Sequence, residues 1–70
     1  MMPLGMASVG DINTIQKITG KDELRQHLAE LGFVVGEQVT VVSEMGGNMI
    51  LSVKDCRIAL DKTMAMRIMV

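Results

Sequence analysis

A run of leucines at helical spacing stops at a glycine and is followed at once by Phe33, the one Phe, Tyr or Trp in the chain. That run limits what the chain can fold into. Leu24, Leu28 and Leu31 fall on one stripe of a helix that begins near Asp22 and ends near Leu31, the spacing that buries one face. Gly32 stands where helices commonly end in a left-handed residue, which glycine adopts without a Cβ clash. A Schellman-type end then packs Phe33 on Leu28. A lone large apolar residue at such a corner belongs to the core, so Phe33 is expected to peg the helix to the sheet. Asp22 is expected to cap the helix start, with Glu23 in the first turn at the positive end of the dipole.

The remaining apolar runs are short and alternate. Thr14 to Thr19 is rich in β-branched residues and reads as a strand after a Gly10-Asp11 turn. Glu37 to Glu44 reads as a strand with Val39 and Val41 on one face and Thr40 and Val42 on the other. Met45-Gly46-Gly47-Asn48 is a turn, because its glycines allow positive φ. Met49 to Val53 returns with Met49, Leu51 and Val53 on one face. Lys54-Asp55 turns again. Cys56 to Leu60 is expected to face Cys56, Ile58 and Leu60 inward. Asp61-Lys62-Thr63 makes a corner with one 3₁₀ turn, and Met66 to Val70 closes the chain with Met66, Ile68 and Val70 inward. Met1 to Met6 reads as loose or as a short edge extension. Closely spaced strands with one helix point to a small mainly β barrel of about five strands.

Seventy residues make one domain, 1–70. An apolar share of 49% favours a packed core over disorder and leaves apolar surface for a partner or for self-association into a homo-oligomer. Seven basic residues against eight acidic ones give a net charge of −1, which offers nothing to a polyanion and argues against nucleic acid. One cysteine makes no internal disulfide and fits a reducing compartment. No apolar run approaches the ~20 residues of a membrane span, and the start lacks the marks of a secretory signal. A cytoplasmic domain is the expectation.

Nucleophilic catalysis needs a nucleophile beside an oriented base, and the single His27 and single Cys56 lie on different elements. Gly46-Gly47 lacks the lysine and Ser/Thr of a phosphate loop. No enzyme is expected. Cys56 reads as a small buried hydrophobe. Glu23, His27 and Glu30 form a column on the helix, a donor set suited to Fe²⁺ or Zn²⁺, against the plainer reading of a solvated flank. Eight methionines are unusual. Met64, Met66 and Met69 resemble a thioether set for Cu(I), but alternation assigns Met64 and Met66 to the core. Met45 and Met49 flank the Gly46-Gly47 turn, and with Met69 they make a candidate partner-binding surface. Proline-rich peptide reading needs an aromatic-lined groove, which one Phe cannot supply.

Across nearly the whole chain the residues resemble the FeoA family. The resemblance rests on Leu4, Gly10, Ile15, Ile18 and Gly20, then Leu28 with Leu31-Gly32-Phe33, Gly36, Val39 and Val41. It continues through Gly46-Gly47, Val53, Ile58-Ala59-Leu60, Ala65, Ile68 and Val70. Met45 and Asn48 flank the glycines where members often carry a proline, and Asp61 follows Leu60 where a basic residue is frequent. The resemblance implies an SH3-like β-barrel with one inserted helix. It also implies a small cytoplasmic accessory protein that binds and modulates FeoB, the membrane GTPase transporter of ferrous iron. A similar domain ends some metal-dependent repressors, so the alternative is an independent metal-binding or metal-sensing domain.

Overall fold

Leucines 24, 28 and 31 do lie on the buried side of a helix, α1 (Asp22–Glu30), whose Leu28 is fully enclosed. The computed structural model describes all 70 residues. In chain order they form β1 (Ile12–Thr14), β2 (Lys17–Ile18), α1, β3 (Gln38–Met45), β4 (Asn48–Val53), β5 (Cys56–Asp61), the one-turn helix α2 (Lys62–Ala65) and β6 (Ile68–Met69). A 3₁₀ turn at Leu4–Met6 precedes them.

The end of α1 is a Schellman motif. Phe33 N–H donates to the Leu28 carbonyl at 3.0 Å and Gly32 N–H donates to that of Ala29 at 3.0 Å. Gly32 carries φ +106°, the conformation this end requires. Phe33 is fully buried, as a corner peg should be. The start differs from expectation. Lys21, not Asp22, is the extended residue before the helix, and no side chain caps it. Asp22 is already the first helical residue and faces Arg25 at 3.5 Å.

The four-stranded sheet runs β1-β3-β4-β5, every pair antiparallel. Its inner face is Val39 and Val41 from β3 and Met49, Leu51 and Val53 from β4, each at most 1% exposed, with Leu60 from β5. A register shift between Val41 and Ser43 adds a bulge to β3, which raises local twist and curls the sheet. Gly46 and Gly47, at φ +53° and +85°, close the β3–β4 hairpin as a two-residue turn.

The expected strand over Thr14–Thr19 is two strands in two sheets. Ile15 is the pivot. Its N–H donates to Glu37 and its carbonyl accepts from Gly36, and from Gln16 onward the chain bonds to β6 instead. The side chain of Ile15, 1% exposed, fills the seam. The first residues are not loose. Met2 and Val70 exchange backbone hydrogen bonds of 2.8 and 2.7 Å, Pro3 bridges Met69, and Leu4 is fully buried. The terminal segment therefore flanks β6 on the side away from β2.

Three further expectations fail for one reason each. Cys56 is exposed, because it is the first residue of an edge strand just past the turn. The corner after β5 is α-helical rather than 3₁₀, held by Asp61, which accepts from Thr63 N–H at 2.7 Å. Met66 ends that helix instead of starting a strand, so its side chain is 39% exposed. Ile68 is enclosed as expected and Val70 is half-buried.

Candidate functional site

The fold leaves one large open groove, with a volume of about 570 Å³. β2 and the residues beside it, Gln16 to Gly20, form one wall. Arg25 and Ala29 of α1 face them, and Val34 and Val35 close the third side. Phe33 lies beneath. The same Schellman end that stops α1 throws Val34 and Val35 out over this floor, and Val35 remains 65% exposed. An adjoining hollow is lined by Gly20, Lys21, Leu24 and Arg67. Thr19 anchors the two walls. Its N–H and its hydroxyl both donate to the Arg67 carbonyl, at 2.7 and 3.1 Å.

Charge is concentrated here. Lys17, Lys21, Arg25 and Arg67, four of the seven basic residues, rim the groove and its hollow. Of the other three, Lys62 pairs with Glu44 at 2.6 Å and Lys54 with Glu37 at 4.0 Å, and Arg57 stands alone on β5. Lys17, Lys21 and Arg67 have no carboxylate at ion-pair distance, and Arg25 has only the exposed Asp22. A chain of net charge −1 thus presents one positive, apolar-floored face.

The sequence-derived candidates fall elsewhere. Glu23, His27 and Glu30 are all exposed on α1, and nowhere does the chain bring three His, Cys, Asp or Glu side chains close enough to hold a metal ion. As placed they do not fit a first-row metal. The hairpin surface is divided. Met45 at the tip is 70% exposed beside the open Gly46-Gly47 turn, but Met49 is fully buried on the inner face and Met69 is half-buried in β6. A place beside a turn suggests the surface for Met49; strand alternation puts it with Leu51 and Val53 instead. Met64 is half-buried against the core. Sequence reasoning misses the groove. Its available signals are Val34-Val35, an apolar pair just past a helix stop, and the cations Lys17, Lys21 and Arg25 at every fourth position. Asp61 carries a carboxyl displaced below its ordinary range. The Thr63 hydroxyl and then the Thr63 backbone N–H donate to it and hold its carboxyl low. This is a helix cap, not a reactive centre.

A curled sheet plugged by one helix, with an open groove as its main surface feature, defines an SH3-like β-barrel domain. Solved relatives share that fold along the whole chain. A crystal structure of an FeoA iron uptake regulatory protein superposes with a TM-score of 0.91 at 35% identity, covering 99% of this chain and 92% of the other. The zinc complex of Stenotrophomonas maltophilia FeoA, described as an SH3 domain protein, superposes with a TM-score of 0.76 at 29% identity, covering 100% and 89%. A Methanocaldococcus jannaschii protein named as an Fe(2+) transport protein A is 33% identical over 70 residues, all of this chain and 85% of that one. The FeoA domain model matches residues 2–70, and the chain belongs to the FeoA family.

Proposed function

We propose that this chain is a cytoplasmic accessory protein of a ferrous iron transport system. It docks on the cytoplasmic part of a FeoB-type membrane GTPase transporter and modulates it. The observation that carries this reading is the groove: the apolar wall of Val34 and Val35 above the enclosed Phe33, rimmed by Lys17, Lys21 and Arg67, which have no carboxylate partner, and by Arg25. Such a surface accepts a segment with apolar side chains and acidic flanks, and its charge steers encounter. The family name of the Methanocaldococcus jannaschii relative supports the transport role, and the Stenotrophomonas maltophilia relative is described as a candidate ferrous iron transport activating factor.

The chain carries no chemistry of its own in this account. His27 and Cys56 sit on separate exposed surfaces, and neither lines the groove. Its effect on transport comes from preferring one transporter state to another, since a ligand shifts an equilibrium only by its difference in affinity for the two states. Ferrous iron is the cargo of the transporter. The test is retention of FeoB by the immobilised chain, together with Fe²⁺ uptake in cells lacking it. Retention and altered uptake support the reading; no retention with unimpaired uptake ends it.

A further inference from the structure

β5 is an edge strand whose outer side nothing covers. It pairs with β4 alone, and the sheet stops there. The phase of its ladder is set by the turn that joins Val53 to Cys56 and by Lys62 N–H donating to the Gly47 carbonyl at 3.0 Å. Cys56, Ile58 and Leu60 therefore direct their backbone groups at β4. Arg57 and Ala59 direct theirs outward, and no other backbone bond uses them. Natural proteins blunt such edges with inward charges, prolines or bulges. β5 has no proline and no bulge, and its register is unbroken over six residues.

The side chains on that edge are self-complementary. Arg57, Ala59 and Asp61 share the outer face, a cation, a small residue and an anion at even spacing. Arg57 has no ion-pair partner within the chain. Asp61 uses only Oδ1 in capping α2, and its carboxyl is held low and charged, leaving Oδ2 free. An antiparallel copy centred on Ala59 sets Ala59 against itself, with backbone groups in phase. It brings Arg57 opposite Asp61 of the other copy at both ends. A slip by one pair opposes Arg57 to Ala59 and loses both ion pairs. A larger slip sets Arg57 against Arg57, or Asp61 against Asp61, and parallel pairing does the same. Opposite charges across a strand pair stabilise it, and like charges oppose it.

We propose that two copies of this chain associate edge to edge through β5, in the antiparallel register centred on Ala59, to give one continuous eight-stranded sheet. A two-fold pair of this kind is isologous, so each contact occurs twice. The edge shares no residue with the groove, so each copy keeps its docking face. The contact area is small, and the association is correspondingly weak.

Sedimentation equilibrium of the full chain from about 10 µM to about 1 mM reads it. The expected weight-average mass rises from that of one 7.6 kDa chain toward twice that value. Arg57→Asp raises the midpoint concentration about tenfold or more, because it opposes carboxylates at both ends. Ala59→Pro removes an outward N–H that β4 does not use and abolishes the pair. Register is read separately: Ala59→Cys in a Cys56→Ser background forms an intermolecular disulfide under mild oxidation, since hydrogen-bonded partners have Cα atoms about 5.5 Å apart, within disulfide reach. A single-chain mass at the highest concentration with no crosslink at position 59 overturns the proposal. So does a dimer that Arg57→Asp leaves intact, whether or not the proline variant folds.

Discussion

Phe33 and Gly32 are neighbours at the end of α1 and hold the fold by different means, one by burial and the other by its backbone conformation. Phe33 is wholly enclosed among Leu28, the sheet and the groove floor. Phe33→Ala is expected to cost about 3–5 kcal/mol, out of the ~5–15 kcal/mol by which a small domain is stable. Denaturant titration should show a midpoint lowered by a large fraction of its wild-type value. Gly32 is a different case. A Cβ there would meet Val53 at 3.6 Å and Lys54 at 3.7 Å, ordinary contact distances, so space is not the obstacle. The obstacle is φ +106°, and Gly32→Ala is expected to cost about 1–3 kcal/mol through the backbone alone, with the slope of the same titration unchanged. At this scale the sequence is readable where one residue has one job. It misleads where a residue type has two homes. Cys56 alternates with Ile58 and Leu60, yet an edge position exposes it. His27 stands in a column with two glutamates, yet the three do not form a preorganised site. Calorimetric titration with Zn²⁺ should therefore give the same heat for the wild type and His27→Ala. A heat lost with His27 would restore a helix-borne metal site.

Elements are legible in proportion to their regularity. β3 and β4 alternate buried and half-exposed residues over most of their length, and the glycine pair between them forces a two-residue turn. The break between β1 and β2 is not legible, because Ile15 looks like any other strand residue; only tertiary hydrogen bonds to Gly36 and Glu37 show it to be a pivot. The second hairpin turn, Lys54-Asp55, adopts φ +50° and +63° without any glycine. Asp55→Gly is expected to stabilise the chain by roughly 0.5–1 kcal/mol, measured as a raised thermal midpoint. Asp61 caps α2, and its folded pKa lies below the ordinary 3.8 because the Thr63 hydroxyl and backbone N–H favour the carboxylate. A depressed acid stabilises the fold above its unfolded pKa and ceases to do so as pH falls through the folded value. The thermal midpoint of Asp61→Ala should thus lie below that of the wild type at neutral pH, and the gap should close in acid. A gap that persists undiminished at the lowest pH would assign the effect to something other than the ionised cap.

For the whole molecule, overall charge is a poor guide. Near-neutral totals conceal a positive groove, because Lys62 and Lys54 sit beside carboxylates while Lys17, Lys21 and Arg67 do not. Docking through that groove should weaken as salt rises, since exposed charges are screened within about 10 Å at 0.1 M. Lys17→Glu with Arg67→Glu should reduce partner affinity about tenfold or more while leaving the fold intact, as both side chains lie at the surface. The most direct test is amide shift mapping of the isotope-labelled chain during titration with the cytoplasmic GTPase domain of FeoB. Perturbed amides are expected to concentrate at Gln16 to Gly20, Arg25, Val34 and Val35. Perturbations centred instead on the Met45 hairpin tip, or none at saturating partner, would contradict docking through the groove.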